Sequence, residues 1–289
     1  MLVDPFRAGF MQRALIELLL LAVLSGVVGV FVQLRDLAFI ADALTHTMFP
    51  GLAIAFALGH SLLIGGTIAA VVSAVALTIL ANDARIDPDA AMVALLTTCF
   101  AIGVLVVSRS RSFTADLTAL LFGRPLTVDR SQILQTIAIG VVVLLVVGLL
   151  GKELLLRAFD PAVATAMGYR VLALDVMLNV AVSLVVVAAL RSVGTLLVLT
   201  LIVTPAAIAR TLTSRLGLMI PTACGVAALA SWLGLGVSYD LSVQHDLRVA
   251  AGPTIAVGLA MTFFIVTVGR SVVRRGAALG VRRERSGAP

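Results

Sequence analysis

Long apolar runs follow one another along almost the whole chain, and this feature limits the possible folds more than any other. A helix needs about 20 mostly apolar residues to cross a bilayer, and it satisfies its own backbone hydrogen bonds there. No alternation with a period of two residues is sustained, which excludes an outer-membrane barrel. The pattern predicts an all-α integral membrane protein, a polytopic helical bundle with about eight or nine transmembrane helices. The nine candidate spans are 14–34, 38–58, 62–80, 92–107, 133–150, 172–190, 195–209, 220–237 and 254–268.

Composition supports a membrane protein. Hydrophobic residues make up 61% of the 289 residues and charged residues 12%, whereas soluble domains carry about 25% charge. The net charge of +6 does not indicate a nucleic-acid partner, because the basic residues lie between apolar runs and in the tail. Such arginine clusters are typical of cytoplasmic flanks of membrane proteins.

We expect three parts: an interfacial segment over 1–13, one membrane-spanning domain over 14–270, and a basic cytoplasmic tail over 271–289. With nine spans and the tail in the cytoplasm, the N-terminus lies outside. Two segments do not fit plain spans. Residues 110–130 contain a short apolar piece, 117–123, that suits an interfacial or re-entrant half-helix, and 241–253 forms an external loop.

Motifs of common enzymes are absent from the sequence. It has no G-x-x-x-x-G-K-[ST] loop for ATP phosphates, no H-E-x-x-H, no G-x-S-x-G and no C-x-x-C. We therefore expect a non-catalytic chain without a permanently bound cofactor, and any ATP that drives it must bind another chain. Cys99 and Cys224 lie in apolar runs and are expected to serve packing.

The second span carries the clearest ionisable pair at membrane depth. Asp42 and His46 are four residues apart, so they share one helix face, and Thr45 is adjacent to it. A carboxylate with an imidazole suits Mn²⁺, Fe²⁺ or Zn²⁺. The alternative is an internal hydrogen-bonded pair that fixes helix packing. Pro50 breaks the helical ladder one turn later and can free a carbonyl toward a cavity.

Other polar positions are weaker candidates. His60, at the external end of the second span, is a possible accessory residue, and His245 with Asp246 is expected to be solvated. Thr204 and Pro205 are expected to form a kink, with a possible gating role. Glu17 and Asp175 lie near helix ends, where we expect local pairing and no transport role.

Four ordered segments resemble the membrane permeases of ABC-type zinc, manganese and iron importers, and together they span most of the chain. The first resembles the family's Gly-Asp-Ala-Leu-Ser-His core followed by Pro-Gly, although Ala41 and Thr45 replace the glycine and the serine. The four segments are 30–51, 159–168, 194–217 and 252–255.

The resemblance implies a type II-like ABC importer permease in the bacterial plasma (inner) membrane. It implies a homodimer in the lipid bilayer, a separate ABC ATPase subunit and an external solute-binding protein, with Mn, Zn or Fe as substrate. It places Asp42 and His46 on the metal pathway and a coupling helix over about 159–168. The coupling residues are Phe159, Asp160, Pro161, Ala164 and Gly168. The chemistry of these residues agrees with a short helix at this position, because Asp160 can cap the helix, Pro161 suits its first turn and Gly168 can end it.

Two alternatives remain open. One is an ABC permease for a metal chelate such as a siderophore, which predicts a roomy cavity lined by apolar and aromatic groups. The other is a stand-alone ion-coupled metal carrier, which predicts several acidic positions in mid-membrane and inverted repeats. The ligand types at Asp42 and His46 suit all three metals, so they do not select one.

Overall fold

A computed structural model describes residue 6 and residues 8–83, 85–108, 123, 125–244 and 249–286. All regular structure within these residues is helical. The helices are α1 (Gly9–Leu34), α2 (Ala38–Thr47), α3 (Phe49–Ala57), α4 (Leu62–Ala81), α5 (Pro88–Val107), α6 (Arg130–Phe159), α7 (Pro161–Ala166), α8 (Val171–Leu212), α9 (Leu216–Gln244) and α10 (Ala251–Ser286), with a 3₁₀ turn at Pro125–Thr127.

Eight helical stretches among the described residues are long and apolar enough to cross a membrane, judged by length and composition. They are Gly9–Leu34, Ala38–Ala57, Leu62–Ala81, Pro88–Val107, Arg130–Phe159, Val171–Leu212, Leu216–Val243 and Ala251–Ser271. The second of these combines α2 and α3. The polytopic all-α bundle expected from the sequence is therefore confirmed.

The stretch α8 is 42 residues long and contains one non-helical residue, Gly194, with φ 76° and ψ 167°. Its two ends lie beside the same end of α1. Asp175, near its start, pairs with Arg35 at a distance of 2.7 Å. Arg210, near its end, donates a hydrogen bond to the carbonyl of Gln33 at 2.9 Å. The chain must therefore turn back between these positions.

The turn itself lies at the other end of the bundle. Arg191 donates a hydrogen bond to Gln135 near the start of α6, and the neighbouring Thr136 donates one to Glu17 near the start of α1. Gly123 packs against the backbone of Gly194. The two arms of α8 thus run in opposite directions, and the described chain crosses the bundle nine times. This number agrees with the nine candidate spans marked in the sequence.

This topology defines two faces. The α7 end contains α7, the C-terminal ends of α1, α4 and α6, and the N-terminal ends of α2, α5 and α8. The opposite end contains the Gly194 turn. Helix α1 begins at the opposite end and α10 runs toward the α7 end, so the start of the first helix and the end of the last helix lie at opposite ends of the bundle.

Several boundaries differ from the expectation. Helix α1 begins at Gly9, so part of the expected interfacial segment 1–13 belongs to the first span. Helix α10 continues to Ser286 and takes its backbone into the basic tail. Pro205 lies within the helical backbone of α8, and the non-helical residue of this stretch is Gly194. The kink at Thr204 and Pro205 stays a prediction. Residues 110–122 of the expected half-helix lie outside the described residues.

Small residues allow the central helices to approach closely. Gly29 of α1 contacts the carbonyl of Ile202 and the side chain of Ala206, and Gly26 contacts Cys224. Membrane helices associate through such small-residue contacts because lipid provides little hydrophobic drive between them. Helix α1 is thereby fixed against the second arm of α8 and against α9.

Replacing Gly194 by alanine should destabilise the protein. Backbone angles with φ 76° and ψ 167° lie in a region that is essentially restricted to glycine, and forcing another residue into it costs about 1–3 kcal/mol. Thermal unfolding in detergent should show a midpoint several degrees lower for Gly194→Ala. The control is Gly148→Ala, where an added Cβ meets nothing within 4 Å inside a regular helix. Equal midpoints for the two variants would contradict this account of the turn.

Candidate functional site

The helix that carries the ionisable pair is interrupted just beyond it. Pro50 has no N–H, and the Gly51 N–H donates to the carbonyl of Met48 at 3.1 Å. The Thr47 carbonyl therefore lacks its helical donor, and it accepts a hydrogen bond from the Ser73 hydroxyl at 3.3 Å instead. The carbonyl that loses its helical donor to Pro50 is that of His46, four residues earlier, and not the Thr47 carbonyl that Ser73 satisfies. The opening of a carbonyl toward a cavity at Pro50 therefore stays a prediction.

Asp42 and His46 lie on the same face of α2, as their spacing predicts. The carboxylate Oδ1 and the imidazole Nε2 are 3.9 Å apart, and the side chains are 45% and 40% exposed. That separation is too long for a hydrogen bond, so the two groups do not form the hydrogen-bonded packing pair of the alternative hypothesis. Thr45 is buried, and its hydroxyl donates to the Asp42 carbonyl at 2.7 Å. Within this chain, both donors remain available to an ion.

A cavity of about 280 Å³ lies beside Asp42, between α2 and the first turns of α5. Asp89 and Met92 also line it, so it contains a second carboxylate and a thioether. Because α5 begins at the α7 end, the cavity lies between Asp42 and that end of the bundle. Sequence analysis missed Asp89, because the acidic residues of 82–89 are typical of an ordinary loop.

One chain does not supply a complete metal site. No group of three or more His, Cys, Asp or Glu side chains that could hold a metal occurs among the residues that the structure describes. Tetrahedral and octahedral ions take four to six ligands. Asp42 and His46 supply two at most.

His60 lies far from this pair. Helix α3 ends with Gly59 at φ 68°, the His60 N–H donates to the Ala55 carbonyl at 2.8 Å, and the Gly59 N–H to the Phe56 carbonyl. These two bonds form the Schellman motif that commonly ends a helix. His60 is exposed at the opposite end and lines an apolar cavity of about 440 Å³. His245 and Asp246 lie outside the described residues.

Helix α7 has the caps that its sequence predicts. Asp160 Oδ1 accepts a hydrogen bond from the Val163 N–H at 2.9 Å, and Pro161 occupies the first turn. Gly168, with φ 85°, ends the helix, and the Tyr169 N–H donates to the Ala164 carbonyl at 3.1 Å. A helix of six residues is unstable alone, so these caps and its neighbours hold it.

The outer face of α7 is apolar. Ala164 is fully buried and anchors the helix, whereas Phe159, Val163 and Met167 are exposed. Three exposed apolar side chains around one short helix, at the end of a membrane bundle, form a surface suited to another protein.

A buried charge cluster lies directly behind α7. Asp175 accepts bonds from Arg35 at 2.7 Å and from Arg157 at 3.0 and 3.1 Å. Burial lowers the pKa of the Arg35 guanidinium, and the Asp175 carboxylate opposes that shift. The local pairing expected for Asp175 is confirmed. Asp175, which follows α7 in the chain, is thereby joined to Arg157, which precedes α7, and to Arg35, which follows α1.

The family follows from comparison with known proteins. Residues 7–270 match the ABC 3 transport family. The chain belongs to this family. It is 37% identical over 249 residues to the manganese transport system membrane protein MntC of Halalkalibacterium halodurans, covering 86% of this chain and 85% of that protein. It is 31% identical to the chelated iron transport system membrane protein YfeD of Yersinia pestis, covering 92% and 86%.

A solved structure supports the same fold. PsaBC from Streptococcus pneumoniae in complex with Fab contains a chain 32% identical to this one, with a TM-score of 0.80, covering 92% of this chain and 94% of that chain. This ABC 3 protein is therefore a multi-pass membrane component of a transport system. The resemblance, the fold class and the membrane location inferred from the sequence are confirmed.

Removing the ionisable pair should leave the stability of this ABC 3 protein almost unchanged. Asp42 and His46 are half exposed and are not hydrogen-bonded to each other, so Asp42→Ala and His46→Ala should unfold within about 1 kcal/mol of the parent protein. The contrast is Leu44→Ala in the same helix, which is fully buried and should lose about 2–5 kcal/mol. A large loss for His46→Ala in thermal unfolding would instead favour a packing function.

Proposed function

We propose that this chain is the permease subunit of an ATP-binding cassette importer for a divalent transition-metal ion, Mn²⁺ foremost, with Zn²⁺ and Fe²⁺ as further substrates. The observation that carries the proposal is the pair Asp42 and His46, accessible on one face of a membrane helix and free of a mutual hydrogen bond. Ionisable groups at membrane depth are costly and mark ion pathways. The relative named for manganese transport supports the choice of metal.

The chain supplies no catalysis in this proposal. ATP hydrolysis takes place on a separate ATPase subunit that docks on α7 through Phe159, Val163 and Met167. The α7 end then faces the cytoplasm, where ATP is available and where the basic tail extends. The whole span of 14–270 acts as one permease domain. ATP binding moves α7 together with the ends of α6 and α8 that flank it.

Two copies complete the metal site. An external solute-binding protein delivers the ion at the opposite end, and each copy contributes one carboxylate and one imidazole. Four donors from two chains suit Mn²⁺, Fe²⁺ or Zn²⁺. Separation of the copies removes half of the ligands and releases the ion. The cavity that Asp42 shares with Asp89 supplies the route toward the α7 end.

A metal chelate is the second candidate, because one relative is named for chelated iron. An ion that is already enclosed by a chelator has no free coordination positions for Asp42 and His46. The accessible pair therefore favours a bare ion. Thr204 and Pro205, within a helical arm, remain candidates for a gate.

Loss of the pair should abolish metal uptake. In cells that lack this gene and are starved of Mn, Zn and Fe, the parent gene should restore one metal, read by mass spectrometry of whole cells. Asp42→Ala with His46→Ala should restore less than about a tenth of that uptake, because both copies then lose their carboxylate and their imidazole and none of the four proposed donors remains.

The matched control is Thr45→Ala, which removes an oxygen from the same helix but leaves both donors. It should restore most of the uptake. Immunoblots of membranes must give equal protein for all variants. Full uptake by the double variant would remove Asp42 and His46 from the pathway but leave the importer. Restoration only when a chelated metal is supplied would favour the second candidate.

A charge on α7 should prevent ATPase docking without unfolding the permease. Val163→Asp places a carboxylate in the apolar face proposed to contact the ATPase, and burying it unpaired costs several kcal/mol. The control is Leu126→Asp, which is exposed to the same degree at the opposite end. Co-purification of the ATPase should fall at least tenfold for Val163→Asp only. Equal co-purification of both variants would place the docking surface elsewhere.

A further inference from the structure

The charge cluster behind α7 is not neutral. Two guanidinium groups, Arg35 and Arg157, share the single carboxylate of Asp175. The side chains of Arg35 and Asp175 are only 8% and 3% exposed. Arginine stays protonated in proteins, so Asp175 alone leaves one of the two positive charges unmatched.

One nitrogen of Arg35 also lacks a partner. Its Nη1 atom is buried and makes no hydrogen bond within the described residues. A buried donor of a charged group without an acceptor is expensive, and such groups normally find a protein atom, a water molecule or a ligand. Arg35 lines a cavity of about 380 Å³ at the α7 end, together with Arg157.

The ends of several helices line the rest of the cavity wall, and an N-terminal end lies there beside C-terminal ends such as Ala81 of α4. The first turn of α2 borders the cavity through Leu37 and Ile40, and Leu37 supplies no side-chain cap for it. The free N–H groups of a helix N-terminus attract anions. The remaining carboxylate in the wall, Asp36, is 88% exposed and faces Arg210 at 4.0 Å. Asp36 therefore does not neutralise the buried cluster.

We propose that this cavity binds a phosphate group, held by Arg35 and Arg157 at the cytoplasmic mouth of the bundle. Arginine forks bind phosphate oxygens through paired, charge-assisted hydrogen bonds. The phosphate supplies the negative charge that Asp175 alone does not provide. Its source is either the headgroup of an anionic phospholipid or free inorganic phosphate.

The bound phosphate ties together the two segments that carry Arg35 and Arg157, and both arginines also pair with Asp175 in a third segment. Arg157 lies just before α7, Asp175 lies in the first turns of α8 just after it, and Arg35 begins the link to α2. Binding should therefore stabilise the α7 end against unfolding. The proposal does not depend on the identity of the transported ion.

The test uses the permease purified with its ATPase subunit in nanodiscs of phosphatidylcholine. Thermal unfolding is followed while inorganic phosphate is titrated at constant ionic strength, and separately in nanodiscs that contain phosphatidylglycerol. At least one probe should raise the unfolding midpoint of the parent complex by several degrees. Phosphate alone indicates a free anion, whereas phosphatidylglycerol alone indicates a lipid headgroup, which native mass spectrometry should retain.

Three variants make the result specific. Arg35→Gln should lose the increase, while Arg85→Gln, an exposed arginine at the same end, should keep it. Asp175→Asn removes the competing carboxylate, so it should lower the half-saturating phosphate or lipid concentration by about tenfold. This increase in the affinity of Asp175→Asn for the probe identifies the site even if Arg35→Gln does not assemble.

The proposal fails if neither probe changes the parent midpoint, or if Arg35→Gln and Arg85→Gln respond equally. It also fails if Asp175→Asn binds the probe more weakly than the parent.

Discussion

Hydrocarbon offers no hydrogen-bonding partner to a peptide group, so every interruption of a membrane helix needs a local replacement. This constraint determines where the bundle departs from straight helices. After His46 the break frees the Thr47 carbonyl, and Ser73 of α4 supplies the missing donor. At the second break, Gly194 takes backbone angles that other residues avoid, and Gly123 packs against it. The first break makes α2 a short, separate helix whose face carries Asp42 and His46.

The α7 end connects the proposed docking surface to this helix through one carboxylate. Asp175 contacts Arg157 in the last turn of α6, just before α7, and Arg35 in the link that leads into α2. Asp42 follows one turn after α2 begins. In the proposed transport cycle, a displacement of α7 is transmitted through these paired charges, and not through a flexible loop, to a point close to the proposed metal donors. Breaking one partner of such a buried pair leaves an uncompensated charge, which makes the connection stiff.

Local signals in the sequence predict much of this fold. Apolar runs predict the nine crossings, and Asp160, Pro161 and Gly168 predict both ends of α7, because capping depends on neighbours in sequence. The pair Asp42 and His46 follows from a spacing of four residues. Contacts between distant residues leave no such signal. Neither the joining of Arg35 to Asp175 nor the position of Asp89 beside Asp42 could be predicted, because packing of separate helices brings them together.

The incompleteness of the donor pair has a consequence for transport. One carboxylate and one neutral imidazole leave a divalent ion with a net positive charge, which is costly at membrane depth. Two such pairs related by a two-fold axis, as in the proposed assembly, supply two negative charges and compensate the ion fully. Affinity then depends on how closely the two copies approach. A small separation removes both charge compensation and half of the ligands at once, so the protein needs no large rearrangement within either chain to convert a binding site into a releasing one.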